Sequence, residues 1–171
     1  MKVGLCGFAR VGKDTAAEHM VEYERFAFAD ALKNEASKML AAVDLEADWS
    51  DPIFKARWRP LLVALGAGRR ATDPDYWIKR LIYTLAARNI AKRGNVVITD
   101  VRYANEVQWI LGQGGTVIRI TRPGHGPANS EESRSFLEID SMYPKMPTVV
   151  NDGTPADLVQ KVLTEIQKTR R

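Results

Sequence analysis

The stretch Lys2-Val3-Gly4-Leu5-Cys6-Gly7-Phe8-Ala9-Arg10-Val11-Gly12-Lys13-Asp14-Thr15 decides the fold. Lys2 to Cys6 is a short apolar run, the pattern of a buried strand, and it stops at Gly7. Gly7 to Lys13 then fits Gly-x4-Gly-Lys, the core of the P-loop. Its glycines let the backbone curl until successive N–H groups point inward at phosphate oxygens. Helical spacing from about Gly12 to Tyr23 aims a helix N-terminus at the same anion. The strand before and the helix after separate a phosphate cradle from a chance match. The expected nucleotide contacts are Gly7, Arg10, Val11, Gly12, Lys13, Asp14 and Thr15, with Lys13 reaching the β- and γ-phosphates. Asp14 stands where Ser or Thr is usual. A carboxylate there either holds Mg²⁺ through a water, with Thr15 supplying a hydroxyl, or is simply an acid at a helix N-terminus.

Outward from this loop, strand-length apolar runs alternate with amphipathic helical segments. Further strands are expected at 25–29, 96–100, 116–121 and 148–150. Helices are expected from a cap at Asp30 to about Val43, and over 54–65 with a stop at Gly66 and Gly68. A third starts at Asp73-Pro74, carries the stripe Trp77, Leu81, Ile82, Leu85 and Ala86, and ends at Gly94. Two more cover 104–111 and the segment after Thr154-Pro155, where Leu158, Val159, Val162, Leu163 and Ile166 form a buried face. Residues 45–52 read as a loop, and 168–171 as a frayed tail. Residues 122–136 hold Pro, Gly, Ser, Asn and charges in place of an apolar period, which predicts a loop or mobile flap. Strands separated by helices imply an α/β fold. The expectation is a roughly five-stranded parallel sheet with helices on both faces, as one domain over 1–171, with extra helices at about 30–80 and a mobile lid at about 122–136.

Ligands in such sheets bind beyond the carboxyl ends of the strands, so the residues just after each strand matter most. Asp100-Val101-Arg102 follows the strongest strand, with Asn105 and Glu106 on the next turn. An acid there commonly orients Mg²⁺ and its waters, and Arg102 would lie near a transferring phosphoryl group. The alternative is an Asp–Arg pair that ties strand to helix. Arg119 and Arg122 flank the end of the fourth strand, and Arg134 lies in the flap with Glu131 and Glu132. A closing flap that carries Arg122 and Arg134 would supply positive charge and exclude water. The alternative is a solvated loop. Arg69-Arg70 ahead of Asp73-Pro74-Asp75-Tyr76-Trp77 places charge and aromatics together, as a phosphate fork beside a base-stacking ring requires. The alternative for Trp77 is an ordinary core position. Lys33 is a phosphate candidate or a plain surface lysine.

The chain of 171 residues is 45% hydrophobic and 27% charged, which argues against disorder. It shows no transmembrane-length apolar run and no signal-peptide shape, and its one cysteine, Cys6, reads as an intracellular core residue. Two distant histidines and one cysteine support no metal cluster, and no Ser-His-Asp or Cys-His arrangement is present. The net charge of +4 points to an anionic partner: nucleic acid, an anionic membrane or a small phosphorylated molecule. The bases that matter most fall after strands and in the flap, which favours the small molecule.

With these motifs in view, the chain resembles the phage-type deoxynucleoside monophosphate kinases. The similarity runs through Gly7 to Ala17 with Gly-Lys-Asp-Thr, Phe28-Ala29-Asp30-Ala31-Leu32-Lys33, and Asp73 to Lys79. It continues through Val97 to Arg102 with Asn105-Glu106, then Arg122-Pro123-Gly124, Ser130-Glu131 and Asn151-Asp152-Gly153-Thr154. The resemblance implies the P-loop kinase fold and transfer of the ATP γ-phosphate to a deoxynucleoside monophosphate, with Mg²⁺ held by Asp14, Thr15 and Asp100. In that light Asp14 matches its family. Lys13, Asp100, Arg102, Arg122 and Arg134 would carry catalysis. Asp30, Lys33, Arg69 or Arg70, Trp77, Arg102 and Glu106 would surround the acceptor, and Asn151 and Asp152 would lie near adenine. The implied setting is cytoplasmic, the host cytoplasm for a phage protein, with no membrane and no nucleic-acid polymer as partner; a homodimer is one assembly open to it. Two other readings stand beside it. One is a P-loop kinase for another small acceptor of the dephospho-coenzyme A kind. The other is a non-catalytic nucleic-acid-binding protein.

Overall fold

The expected alternation is realised in the computed structural model, which describes residues 1–90 and 94–169. Strands β1 (Lys2–Cys6), β2 (Tyr23–Phe26), β3 (Asn95–Val101), β4 (Thr116–Thr121) and β5 (Thr148–Val150) form one sheet in the order β2-β3-β1-β4-β5. Every pairing is parallel. The chain divides into two compact units, residues 1–27 with 89–171, and residues 28–88.

The first unit holds the sheet with α1 (Lys13–His19), α5 (Ala104–Gly112), α6 (Ser130–Met142) and α7 (Pro155–Thr169). Alternation along β1 sets its two layers. Val3 and Leu5 join a buried cluster with Ala16 and Ala17 of α1 and Leu158, Val162 and Ile166 of α7. Gly4 faces the opposite layer, where a Cβ would stand 2.7 Å from Ile110 Cδ1 of α5. The missing side chain is what lets α5 approach the central strand. Each fully buried aliphatic side chain in these layers contributes about 1.5–3 kcal/mol of transfer free energy. Because β1 is central, the loop after it opens at the middle of the sheet's carboxyl edge.

The second unit is helical: α2 (Phe28–Ala41), α3 (Pro52–Thr72) and α4 (Tyr76–Ala87). α3 runs straight through Gly66 and Gly68, where the sequence predicts a stop. An interior glycine costs about 1 kcal/mol against alanine. Packing offsets that cost at Gly66, which is buried and whose carbonyl accepts the Trp77 indole N–H at 3.3 Å. The helix closes at Asp73, whose N–H bonds to the Arg69 carbonyl at 2.9 Å. α2 starts at Phe28, so Asp30 lies in its first turn and is not its cap. The same early start ends β2 at Phe26, short of the expected 25–29. α4 starts after Asp75, whose side chain makes no capping bond, two residues later than the expected cap at Asp73, and ends at Ala87, well before Gly94, near the left-handed turn at Asn89 (φ 55°).

The region expected as a flap is loop only as far as Asn129. There the Asn129 side chain accepts the Glu132 N–H at 2.8 Å and starts α6. Its buried face is Glu132, Ser135, Phe136 and Ile139, a helical period hidden by two polar residues. α7 begins as expected: Asp157 accepts the Thr154 N–H at 2.9 Å, and Thr154 Oγ1 accepts the Asp157 N–H at 3.2 Å. It continues through Thr169; the rest of the tail expected to fray, Arg170 and Arg171, lies outside the described residues.

Candidate functional site

The loop between β1 and α1 is built around two glycines in the left-handed region. A Cβ on Gly7 (φ 151°) would meet the Ile120 carbonyl at 2.3 Å, and one on Gly12 (φ 104°) would meet Asn151 Nδ2 at 2.6 Å. Arg10, between them, also takes a positive φ of 65°. The resulting cavity holds about 290 Å³ and is lined by Arg10, Gly12, Lys13, Asp14, Thr15 and Arg122, with Asn151, Gly153, Pro155 and Leu158 closing it. Most of the expected nucleotide contacts and one expected catalytic arginine, Arg122, therefore share one cleft.

Lys13 is only 7% exposed. Its ammonium donates to the carbonyls of Gly7 at 2.6 Å and Phe8 at 2.7 Å. Burial pushes its pKa down, and the nearby Arg102 guanidinium pushes it further the same way; Asp14 and Glu132 oppose the shift. Arg102 itself is exposed. Two positive groups close enough to repel one another favour an anion beside them. Glu106 is buried and accepts the N–H groups of Arg102 at 2.7 Å and Tyr103 at 3.1 Å, which fixes the turn that presents Arg102. Asp100 is the penultimate residue of β3 and half-buried.

Asp14 is exposed, with Arg25 Nη2 at 3.5 Å. Among the described residues no group of three or more His, Cys, Asp or Glu forms a metal cage. One carboxylate and one hydroxyl in a phosphate-shaped cleft nevertheless suit Mg²⁺, which takes one or two protein oxygens and completes its shell with waters and substrate phosphates.

Asn151 sits at the cleft wall, and its amide donates to the Val11 carbonyl at 2.9 Å. Asp152 lies elsewhere, in a groove beside β5 and α7, paired with Lys161 at 2.5 Å. Arg134 is on the exposed face of α6. That helix is tied to the rest of its unit by Phe136 against Phe8 of the loop, ring centroids 4.6 Å apart, by the Arg119–Asp140 ion pair, and by Tyr103, whose hydroxyl donates to Glu131 at 2.8 Å. The sequence reading missed the Phe8–Phe136 contact; Phe8 inside a glycine loop was the available signal.

Asp30, Lys33, Arg69, Arg70 and Trp77 belong to the helical unit. Asp30 and Arg69 are exposed, and Lys33 and Arg70 half-buried. Trp77 takes the core alternative: at 2% exposure, with its N–H committed to Gly66, it leaves no face for a base. Glu35, which the sequence reading passed over, collects Arg69, Arg80 and Tyr76 around it.

The chain is similar to three viral proteins. It is 31% identical over 157 residues to "Uncharacterized protein ORF77" of Ictalurid herpesvirus 1 (strain Auburn), covering 90% of this chain and 64% of that protein. It is 30% identical over 106 residues to "Uncharacterized protein ORF76" of the same virus, covering 61% of this chain and 44% of that protein. The chain thus spans less than two thirds of either herpesvirus relative. It is also 27% identical over 183 aligned positions to "Putative deoxynucleotide monophosphate kinase" of Acanthamoeba polyphaga mimivirus, covering 95% of this chain and 94% of that one. No family model matches. Among solved structures, shikimate kinase from Aquifex aeolicus vf5 aligns with a TM-score of 0.55 at 14% identity, covering 99% of this chain and 98% of that one. Dephospho-CoA kinase from Campylobacter jejuni aligns with a TM-score of 0.52 at 13% identity, covering 98% and 97%. The five-stranded parallel sheet with helices on both faces is the fold of these kinases, and the resemblance read from the motifs extends over the whole chain.

Proposed function

We propose that this chain, which has the P-loop kinase fold and resembles the deoxynucleoside monophosphate kinases, transfers the ATP γ-phosphate to a deoxynucleoside monophosphate, giving the diphosphate and ADP. The observation that carries the reading is the glycine-built cleft after the central strand, lined by buried Lys13 and by Arg122, with Arg102 near enough to Lys13 to lower its pKa. ATP phosphates would lie on the loop backbone between Gly7 and Thr15. Lys13 would leave the Gly7 and Phe8 carbonyls for β- and γ-phosphate oxygens. When bound with ATP, Mg²⁺ would neutralise phosphate charge, and Asp14, Thr15 and Asp100 are the residues that would hold it.

The acceptor is a phosphate monoester, largely dianionic near neutral pH because its second pKa is about 6. Its oxygen attacks the γ-phosphorus as the bond to the bridging oxygen breaks, so no strong general base is needed. Positioning and charge stabilisation carry the catalysis. Arg102 and Arg122 would meet the transferring group, and Lys33, with Arg69 or Arg70, would bind the acceptor. The reaction belongs in the cytoplasm, where ATP and mononucleotides are. A different small acceptor fits the same chemistry.

The test is an ADP-release assay with ATP and Mg²⁺ across the ribo- and deoxyribonucleoside monophosphates. Turnover with one or more deoxynucleotides is expected. No turnover with any of them overturns the assignment, and turnover with dephospho-coenzyme A alone replaces it.

A further inference from the structure

Three helices of the second unit send groups to one carboxylate. Glu35 of α2, with a side chain only 13% exposed, accepts the Tyr76 hydroxyl of α4 at 2.5 Å through Oε1. Through Oε2 it takes Nε and Nη2 of Arg69 from α3, at 3.2 and 3.1 Å. Arg80 Nε of α4 lies 3.5 Å from Oε1. The Arg69 guanidinium also lies 5.0 Å over the Tyr76 ring. The carboxylate holds the Tyr76 hydroxyl above its ordinary pKa, so the phenol stays a donor.

The Arg69 arm of this arrangement adds little stability. Arg69 is 49% exposed, and ion pairs of that kind contribute about 0–1 kcal/mol. What it does is fix direction. A guanidinium carries five N–H groups in a planar fork. Gripped on its Nε–Nη2 edge, Arg69 keeps Nη1 without a partner among the described residues, ready for a second oxyanion. One carboxylate between Arg69 and Arg80 leaves the cluster net positive. Arg70 is placed differently: its Nη1 lies 3.5 Å from the Cβ position of Gly66, folded back along its own helix.

We propose that Glu35 is a positioning residue that, together with Tyr76, presets Arg69 rather than Arg70 to take the phosphate of the acceptor nucleotide. The inference rests on the kinase reading above. A preset guanidinium binds a dianion without first losing the rotamer freedom of a long side chain, so the effect belongs in acceptor affinity.

The experiment measures KM for the best deoxynucleoside monophosphate, KM for ATP, and kcat, in the wild type, Glu35→Gln, Tyr76→Phe, Arg69→Ala, Arg70→Ala and the Glu35→Gln/Arg69→Ala pair. Thermal unfolding of each variant is recorded. Glu35→Gln keeps the shape and an acceptor for Tyr76 but loses the charge that grips Arg69. It is expected to raise acceptor KM by about 10-fold, with ATP KM within about twofold of wild type. Tyr76→Phe moves the same constant in the same direction by less. Arg69→Ala raises acceptor KM at least as much, Arg70→Ala less, and Glu35→Gln adds little once Arg69 is gone, because it acts through that residue. A purely structural Glu35 would give additive effects and move both KM values. Wild-type turnover with an unchanged acceptor KM in Glu35→Gln, additivity in the pair, or a larger loss at Arg70 overturns the inference and leaves the kinase reading standing. Absence of wild-type turnover with every monophosphate overturns both.

Discussion

Asn151 Nδ2 donates to the Val11 carbonyl at 2.9 Å, joining the residue after the last strand to the phosphate loop 140 positions earlier in sequence. The same amide stands 2.6 Å from where a Gly12 Cβ would be, so Gly12 and Asn151 are fitted to one another. Through these two contacts Asn151 helps set the shape of the loop. Asn151→Ala leaves a half-buried carbonyl without its donor and should cost about 1–3 kcal/mol of stability. It should also raise KM for ATP while acceptor KM stays near wild type. Asn151→Asp sets an acceptor against an acceptor and should be worse on both counts. Thermal unfolding with an ATP titration checks this, and a wild-type ATP KM in both variants contradicts it.

Lys13 donates to the Gly7 and Phe8 carbonyls of its own loop. Lys13→Ala should lower kcat/KM by at least about 100-fold, equivalent to roughly 3 kcal/mol, with the fold retained. Near-native turnover by a folded variant sinks the assignment of this loop. The pH profile gives a finer test. Burial and then Arg102 lower the Lys13 pKa below the ordinary 10.5. The ammonium is the active form, so kcat/KM should fall on the alkaline side earlier than an ordinary lysine allows. Arg102→Ala removes one of the two depressing causes, so its residual activity should hold to higher pH than wild type. An alkaline limb that stays put in Arg102→Ala separates the two charges.

Cys6 gives the opposite sign. Burial of its thiol in β1 pushes the pKa from 9.0 up to about 11, against the pull of Arg119 and Lys13. The unfolded chain loses this proton near pH 9 and the folded one only near 11, so the folded state holds more protons between them. Stability should therefore decline as pH rises through that window, by as much as about 2–3 kcal/mol. Cys6→Ala should be less stable at neutral pH because of the cavity, yet flatter between pH 9 and 11. The native thiol should also resist alkylation at pH 8. Chemical denaturation at several pH values measures the slope, and equal slopes in the two proteins contradict the account.

What the sequence made legible followed from how local the signal was. β1, the loop and the start of α1 are contiguous, and glycine and apolar spacing state them directly; α1 ends at His19, short of the expected Tyr23, which opens β2. β3, β4, β5 and α7 were equally plain from uniform apolar runs and from Thr154 and Asp157. α6 was hidden because Glu132 and Ser135 are buried where an apolar residue is expected; the Asn129 cap was its only local mark. α3 passed through two glycines because packing around Gly66 outweighs a local propensity of about 1 kcal/mol. The role of Asn151 depended on a hydrogen bond across 140 residues. The Glu35 cluster depended on three helices meeting, and spacing within any one of them does not encode either arrangement. Trp77 had both readings open from sequence, and burial alone decided for the core.

Arg119 offers a last test, on the link between β4 and α6. Its side chain is 16% exposed, it pairs with Asp140, and its guanidinium lies 5.4 Å from the Phe136 ring centroid. Nε and Nη2 have no hydrogen-bond partner among the described residues. Removing one partner of a fully buried pair costs about 3–5 kcal/mol because the other charge is stranded. Asp140 is 51% exposed, so water already screens its side of the pair and the loss in Asp140→Ala should be nearer about 1–2 kcal/mol. Replacing both, as Arg119→Met with Asp140→Ala, removes the stranded charge and should recover part of that loss. Phe136 of the same helix packs on Phe8 of the phosphate loop, so loosening this pair should also weaken ATP binding, and the double variant should recover it in step with stability. A double variant less stable than Asp140→Ala, or unchanged ATP binding in both, would show that α6 does not support the loop through Arg119.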